Sequence, residues 1–508
     1  MKNKLLNILK PFGQEHLLTF WDNLSPQQRR HLSVQIESID FPLLELLYVN
    51  RNHPTRTLDL ADKSADPYGY KFSTVRNLSS CIALKPITSQ EAIVAGNVAL
   101  SGDENFNREN CSLENSNQEK NFCTKNRSGK VGAILVAGGQ GTRLGFQHPK
   151  GLFPIGVVAG TLLIQIHFEK IIAISRRVGF NIPFAVMTSP ATHFEILESL
   201  EQNDYFGFDP ADVFLFCQGT MPTLNETDGK ILLENQYSIS LNPDGHGGML
   251  AAMTRKQSDK NLSVFEFFKS RGVKYLYYNQ IDNPLAQTCS PEFMGYHILS
   301  GSEFTTQVIR KKDPTEKCGN VVRIGESLHM IEYIELPDEI ARRTNPDGSL
   351  HIWAGNTAIH AFDLDFLEQM TNSADKLHFH TARKKTPFID ISSGTIVKPT
   401  SPNAVKFERF IFDLLPYAKN AIVVEVDEAN HYAPLKNESG AATHSPEQVQ
   451  CQMTSQFISW LRAAGAIVMP KTPIEISPLF ADSEEVLIKK IKPGITFDSP
   501  TYLRADLC

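Results

Sequence analysis

The segment that most constrains the fold is a continuous apolar run that stops at two glycines. Val131-Gly-Ala-Ile-Leu-Val-Ala137 carries no charged residue, and Gly138-Gly139 follows it directly. A strand buried on both faces of a parallel sheet has this composition, whereas a strand with one wet face alternates apolar and polar residues. The run therefore predicts a central parallel strand.

Segments on the C-terminal side of this run support an α/β architecture. Helical patterns cover 161–174 and 193–203. Three short apolar runs, 184–188, 213–217 and 275–278, are typical of strands. Strands that alternate with helices predict a doubly wound sheet that binds its ligands at the carboxyl ends of the strands.

Composition divides the chain of 508 residues into three parts. Residues 1–128 are expected to form a mainly helical domain with a flexible insertion at 103–129, which is rich in Asn, Glu and Ser. Residues 129–440 are expected to form the catalytic α/β domain. Residues 441–508 are expected to form a small domain that begins with a helix over 446–464.

The N-terminal residues favour helices and argue against targeting to a membrane. Met1–Lys10 is basic and only mildly apolar, so it is a poor signal peptide and predicts a first helix. Ser25-Pro26-Gln27-Gln28 supplies an N-cap, a proline at the first helical position and a glutamine at the third. No apolar run approaches the roughly 20 residues that span a bilayer. We therefore expect a cytoplasmic protein with no membrane partner.

The net charge and the cysteine spacing argue against a nucleic-acid-binding protein and against a zinc site. The net charge of −6 gives no general attraction to nucleic acid, so nucleic acid is not expected as a partner. The eight cysteines form no Cys-x-x-Cys pair and have no zinc-ligand spacing, which favours reduced thiols in a cytosol.

The loop Gly138-Gly-Gln-Gly-Thr-Arg-Leu-Gly145 has the properties of a phosphate-binding turn before a helix. Gly138, Gly139 and Gly141 have no side chains, so backbone N–H groups can approach an anion closely. The glycine spacing is neither the G-x-G-x-x-G of a dinucleotide fold nor the G-K-[ST] of a P-loop.

Two cations accompany this loop. Arg143 lies within it, and Lys150 follows a proline shortly after it. Two positive charges at this point suit a triphosphate whose pyrophosphate must leave.

The loop and Pro149-Lys150-Gly151 together resemble the signature of the eukaryotic-type UDP-sugar pyrophosphorylases, most closely those specific for N-acetylglucosamine 1-phosphate. The resemblance runs from about residue 15 to about residue 485, with 103–129 as an insertion. It implies a Rossmann-like, glycosyltransferase-A-type nucleotidyltransferase domain with smaller N- and C-terminal domains. It also implies that UTP and a sugar 1-phosphate react to give a UDP-sugar and pyrophosphate, with Mg²⁺ as cofactor.

The resemblance assigns roles to residues along the chain. The implied catalytic residues are Arg143, Lys150 and Lys406. Asp282 follows a predicted strand, where a carboxylate can hold Mg²⁺ with phosphate oxygens and water. The residues implied to bind the substrates are Gly138, Gly139, Gly141, Gln218, Gly245, His246, Gly319, Glu332, Tyr333, Asn356 and Lys436.

These residues do not decide which sugar 1-phosphate is the substrate. In the family, the enzymes for N-acetylglucosamine commonly carry asparagine where this chain has His246, and the glucose enzymes often carry histidine. His246 therefore favours a UDP-glucose or broad-specificity pyrophosphorylase as the alternative. We take N-acetylglucosamine 1-phosphate as the first choice, because it is favoured by Pro243-Asp-Gly…Gly-Gly248, Glu332-Tyr333 and Ala354-Gly-Asn356.

The expected chemistry needs no side-chain base. The phosphate of a sugar 1-phosphate is largely ionised near neutral pH because its second pKa is about 6. Neither His148 nor His246 is therefore expected to act as a base, and Glu408 and Arg409 are expected to form a structural pair or to face solvent.

Alternatives from other classes are weaker. An inactive nucleotide-sugar-binding regulator is one, but the loop, Asp282 and the lysines are all intact. A glycosyltransferase is another, but Asp-x-Asp is missing around Asp282. A monomer or weak homo-oligomer is expected.

Overall fold

The computed structural model describes residues 1–52, 69–71, 87–103, 129–257, 261–372 and 377–505. Residues 104–128 of the predicted insertion lie outside the described residues. The chain divides into two compact units: a first unit of Met1–Thr55, Gln218–Ala252 and Ser373–Asp413, and a second unit of Arg56–Cys217, Met253–Asn372 and Leu414–Cys508. The three-part division expected from the sequence stays a prediction.

The described α-helices follow one another in chain order. They are α1 (Lys2–Leu9), α2 (Pro26–Glu37), α3 (Phe41–Asn50), α4 (Ser89–Ser101), α5 (Leu163–Val178), α6 (His193–Gln202), α7 (Met249–Thr254), α8 (Val264–Ser270), α9 (Pro291–Leu299), α10 (Asp338–Ala341), α11 (Leu364–Thr371), α12 (Glu428–His431), α13 (Pro446–Ala463) and α14 (Glu484–Lys490).

The described strands are shorter. They are β1 (Gly69–Lys71), β2 (Val131–Val136), β3 (Phe184–Thr188), β4 (Val213–Cys217), β5 (Thr220–Pro222), β6 (Leu224–Asn225), β7 (Leu233–Asn235), β8 (Ser238–Ile239), β9 (Leu241–Pro243), β10 (Tyr275–Gln280), β11 (Phe304–Arg310), β12 (Asn320–Ile324), β13 (Ser327–Ile331), β14 (Ala354–Asp363), β15 (Phe379–Lys384), β16 (Phe388–Ile389), β17 (Ile396–Val397), β18 (Ala404–Arg409), β19 (Ile422–Glu425), β20 (Ile467–Val468), β21 (Ile474–Ile476), β22 (Thr496–Phe497) and β23 (Thr501–Leu503).

The second unit is built on a ten-stranded sheet in the order β1-β19-β11-β14-β10-β2-β3-β4, with β12 and β13 attached beside β14. Strand β2 pairs in parallel with β10 on one side and β3 on the other. Its residues Val131, Ile134 and Leu135 have no exposed surface. The prediction of a central parallel strand is confirmed, and its residues are buried except for Val136 at its end, which is partly exposed. The fold is a mixed α/β fold with a large, mainly parallel sheet.

Close packing in the second unit depends on small residues where helices meet. Gly96 of α4 and Gly295 of α9 face each other's helices, and a Cβ on either would lie within 1.8 Å of the backbone oxygen of Pro291 or Ala92. Only glycine permits so close an approach of two backbones.

The first unit has its own apolar core. Side chains of α1, α2 and α3 pack with those of short strands such as β6 and β18, and Leu5, Leu32 and Val405 are fully buried. The predicted start of α2 is confirmed, because the Ser25 side chain accepts from the Gln28 N–H and the Gln28 side chain accepts from the Ser25 N–H. The helical character expected of the first 50 residues is likewise observed.

Two further properties concern the described residues only. None of their helices is long and apolar enough to cross a membrane. The cysteines among them, Cys217, Cys289, Cys318 and Cys451, are free thiols.

Candidate active site

The glycine-rich loop is closed by its own backbone. The Gly141 N–H donates to His148 O across 3.0 Å, and the Lys150 N–H donates to Gly139 O across 3.0 Å. A Cβ on Gly141 would lie 2.8 Å from the carbonyl oxygens of His148 and Phe146, so this position requires glycine. Two 3-10 turns, Thr142–Leu144 and Lys150–Leu152, follow the glycines instead of the expected helix, and α5 begins only at Leu163.

The closed loop brings Lys150 to a carboxylate from a neighbouring strand. Ile281 N–H donates to Val136 O across 3.0 Å, so β2 and β10 end side by side. Asp282 follows immediately, and its carboxylate lies 3.8 Å from the Lys150 Nζ. The parallel pairing therefore places Gly138 and Asp282 at the same edge of the sheet, where an α/β fold binds its ligands.

A second chain segment is tied to the Asp282 turn. The Asn283 side chain donates to His431 O across 2.8 Å and accepts from Ala433 N–H across 3.0 Å. The Leu435 N–H donates to Asp282 O across 2.8 Å. These bonds hold Lys436, the next residue, near Asp282.

Charge interactions confirm that the cations share one environment. Burial lowers the pKa of Lys150; the Asp282 carboxylate opposes this, and Lys436 and Arg143 add to it. Burial also acts against the charge of Lys436, but the Tyr432 oxygen and Asp282 outweigh it and raise its pKa. The Lys436 Nζ donates to the Tyr432 hydroxyl across 3.2 Å. Arg143, Lys150, Asp282 and Lys436 together are called the phosphate cluster.

Three residues expected to contact the sugar also lie together. The Asn356 N–H donates to Gly319 O across 2.8 Å. A Cβ on Gly319 would lie 3.1 Å from a Glu332 carboxylate oxygen. The Asn356 Oδ1 accepts from Ala358 N–H across 2.9 Å, which fixes the orientation of the amide. Tyr333 is 41 % exposed.

The remaining expected residues belong to the first unit. Gln218 is buried and directly follows β4 in the chain. Residues 242–248, called the His246 loop, run against the end of β18. Gly245 has φ +83°, and a Cβ there would lie 2.3 Å from Arg409 O, so glycine is required.

The ring of His246 is fixed by its neighbours. It stacks on Phe410 with 5.1 Å between ring centroids, and its Nδ1 accepts from Ile411 N–H across 3.2 Å. That bond leaves the proton on Nε2. Burial lowers the pKa of His246 to about 3, with a smaller contribution from His380, so the ring is neutral.

Strand β18 contributes two cations to the same loop. The half-buried Lys406 donates to Asn242 Oδ1, and burial lowers its pKa. Arg409 pairs with Asp244 across 2.7 Å. A pair between Glu408 and Arg409 is not formed, because successive side chains of a strand point to opposite faces.

A cavity of about 390 Å³ lies elsewhere in the second unit. Its walls include Lys170, Pro284, Phe457 and Trp460, and it contains no member of the phosphate cluster.

Comparison with known proteins shows the family of the chain. Residues 85–467 match the family model described as UTP–glucose-1-phosphate uridylyltransferase. The chain belongs to this family. It is 32% identical to the UDP-N-acetylglucosamine diphosphorylase 2 of Arabidopsis thaliana, over 98% of this chain and 93% of that protein. It is 31% identical to the UDP-N-acetylglucosamine pyrophosphorylase of Saccharomyces cerevisiae, over 92% of each chain.

A solved structure shares the family fold. The uridine diphosphate N-acetylglucosamine pyrophosphorylase of Trypanosoma brucei superposes with a TM-score of 0.74, covering 99% of this chain and 98% of that one at 23% identity. The resemblance stated from the loop motif is thus confirmed for the family, while the roles of individual residues stay predictions.

Some side chains of the site were not anticipated from the sequence. Tyr432 contacts Lys436, and Asn283 joins two segments that are about 150 residues apart. Tyr432 lies four residues before Lys436, but an isolated tyrosine near a lysine gives no signal of its own. Asn283 is adjacent to Asp282, yet its long-range partners become visible only in the fold.

Proposed function

We propose that this protein transfers the uridylyl group of UTP to a sugar 1-phosphate, N-acetylglucosamine 1-phosphate in the first instance, and releases pyrophosphate. The observation that carries the proposal is the phosphate cluster: three cations and one carboxylate beside a glycine-rich loop at the carboxyl ends of β2 and β10. Membership of the uridylyltransferase family and the similarity to N-acetylglucosamine enzymes support it.

Catalysis follows from positioning and charge neutralisation. The phosphate oxygen of the sugar 1-phosphate attacks the α-phosphorus of UTP in line with the departing pyrophosphate. In the proposed arrangement, Arg143 and Lys150 stabilise the pyrophosphate, and Lys406 and Lys436 bind the attacking phosphate. Each cation acts on charge that moves during the reaction, where preorganised charge lowers the barrier most.

Asp282 fits a magnesium ion. Magnesium is commonly held by one or two carboxylates together with substrate phosphates and water, and Asp282 offers one partly exposed carboxylate. When bound there, the ion would neutralise phosphate charge during transfer. Among the described residues no group of three or more His, Cys, Asp or Glu side chains forms a separate metal site.

We also propose a domain type for the sheet, roles for the other site residues, and the location and oligomeric state of the enzyme. The ten-stranded sheet would correspond to a Rossmann-like, glycosyltransferase-A-type domain. Gln218 would read the uracil edge, and Gly319, Glu332, Tyr333 and Asn356 would contact the sugar. The enzyme would work in the cytoplasm as a monomer or weak homo-oligomer, without nucleic acid.

A second candidate is supported by His246. Its neutral ring offers an Nε2–H donor where an asparagine would offer both a donor and an acceptor. A site with this single donor fits a hydroxyl as well as an acetamido group, which keeps glucose 1-phosphate as the alternative substrate.

Pyrophosphate release from UTP tests both candidates. The assay contains Mg²⁺ and either N-acetylglucosamine 1-phosphate or glucose 1-phosphate, with parallel reactions in excess chelator. We expect faster release with N-acetylglucosamine 1-phosphate and loss of activity with chelator. Faster release with glucose 1-phosphate would select the alternative, and no release with any sugar 1-phosphate would overturn the proposal.

A further inference from the structure

A buried lysine and a buried asparagine adjoin the proposed sugar subsite without having a role in the reaction. Lys311 is 4 % exposed and follows β11, and Asn320 is fully buried at the start of β12. A Cβ on Gly355, next to Asn356, would lie 3.2 Å from Lys311 Cγ. Because burying an ammonium group is costly, the position of Lys311 needs a compensating contact.

That contact fixes the orientation of an amide. The Lys311 Nζ donates to Asn320 Oδ1 across 2.6 Å. An ammonium group can only donate, so it selects the oxygen of the amide and turns the amide nitrogen away. The Asn320 Nδ2 then donates to Cys318 O across 3.3 Å and to Ile331 O across 3.2 Å.

These two carbonyl groups immediately precede the residues assigned to the sugar. Cys318 precedes Gly319, and Ile331 precedes Glu332. Asn320 also pairs with Ile331 of β13 and Gly355 of β14 in the sheet register. Asn320 therefore lies where three strands meet and sets the spacing of the segments that carry Gly319, Glu332 and Asn356.

We propose that Lys311, acting through Asn320, is a positioning residue that sets the geometry of the sugar subsite and hence the sugar-dependent part of the affinity. The inference rests on the proposed function and adds a residue to the same site. Lys311 acts without touching the substrate. Its removal should weaken contacts to the sugar and leave the contacts to the uridine diphosphate moiety unchanged.

Calorimetric affinities of the full-length protein for UDP-N-acetylglucosamine, UDP-glucose and UDP test this role. Lys311→Met should weaken binding of the better UDP-sugar about tenfold, the size of one disrupted hydrogen bond, and leave UDP binding unchanged. Lys312→Met is the matched control, because Lys312 is exposed and pairs with Glu428 on the surface; it should change neither affinity.

Asn320→Asp provides a second variant in case Lys311→Met does not fold. The aspartate keeps an acceptor for the Lys311 ammonium group but has no N–H for the carbonyls of Cys318 and Ile331. It should show the same selective loss.

Equal losses for UDP-sugar and UDP, or an unchanged UDP-sugar affinity, would overturn the positioning role. Wild-type turnover assays keep the two proposals apart. Turnover by the wild type with an unchanged affinity ratio in the variants removes only the role of Lys311. A wild type that turns over no sugar 1-phosphate removes the proposed function and this inference with it.

Discussion

The phosphate cluster and the His246 loop are constructed in different ways. The phosphate cluster consists of charged side chains that share an environment: burial lowers the pKa of Lys150 there, Asp282 opposes this, and Lys436 and Arg143 add to it. The His246 loop holds its glycines against backbone and its neutral ring on phenylalanine, and its one charged side chain, Asp244, is paired with Arg409. Coulomb attraction acts over several ångströms with little directional demand, whereas stacking and close packing depend on shape. Substitutions in the two regions should therefore fail in different ways.

The largest effect is expected when a charge of the phosphate cluster is removed, and the quantity affected should be kcat. In Arg143→Ala, kcat should decrease about 10²–10³-fold, because one cation that stabilises the departing charge is gone. Arg143 is exposed, so the melting temperature should stay unchanged. Initial rates of pyrophosphate release and thermal melts measure both quantities. Arg30→Ala, an exposed arginine of α2, is the control, and near-normal kcat in Arg143→Ala would refute the assignment.

Substitutions at two glycines of the glycine-rich loop distinguish the effect of close packing on stability from the effect of ligand access on binding. Gly141→Ala should lower the free energy of unfolding by about 1–3 kcal/mol, because its Cβ would press on two backbone carbonyls. A Cβ on Gly139 meets no atom within 4 Å. Gly139→Ala should keep the stability within about 0.5 kcal/mol but raise the KM for UTP. Chemical denaturation and steady-state kinetics give the two values; equal stability of both variants would contradict the packing argument.

Stability measured at lower pH should show that the His246 ring is neutral in the folded protein. Burial lowers the pKa of His246 to about 3, while an unfolded histidine titrates near 6.5. Below pH 6.5 the unfolded chain binds a proton that the folded chain does not, so stability is lost as the pH falls toward 3. The contribution of His246 is at most about 1.4 kcal/mol per pH unit. Denaturation at pH 7 and pH 5.5 should show a smaller loss in His246→Asn than in the wild type; equal losses would contradict the assignment.

The smallest effect should fall on the choice of sugar. His246→Asn replaces a single donor by an amide, which should move the ratio of kcat/KM values toward N-acetylglucosamine 1-phosphate by about fivefold. Loss of the stack on Phe410 should cost about 1 kcal/mol of stability. The KM for UTP should remain as in the wild type. A ratio that stays constant would show that the His246 loop does not read the sugar.

The elements that the sequence predicted well are those defined by local pattern. Strand β3 has the predicted ends, and the helices α5 and α13 differ from their predicted ranges by a few residues. The helix start at Ser25 follows from side-chain chemistry within four residues. A helix was expected directly after the glycines, but the structure has the turn Thr142–Leu144 there. The hydrogen bonds that close the glycine-rich loop and hold Lys150 follow no repeating residue spacing, so the sequence pattern did not indicate them.

The same distinction between local sequence pattern and contacts formed in the fold applies to the candidate site. A glycine-rich loop with nearby cations indicates phosphate chemistry because these residue types can do little else in that order. The contacts that orient them appear only in the fold: Asn283 with Ala433, which is 150 residues away, Tyr432 with Lys436 in the Asp282 environment, and Lys311 with Asn320 beneath a strand junction.

The sequence by itself determined the class of fold, the glycine-rich loop and the family, since each depends on residue type and spacing within short segments. The tertiary structure decided which cations share a carboxylate, that Arg409 pairs with Asp244, and that the ring of His246 is neutral with its proton on Nε2. Burial and distance between remote segments set charge states and hydrogen-bond directions, and neither quantity exists until the chain has folded.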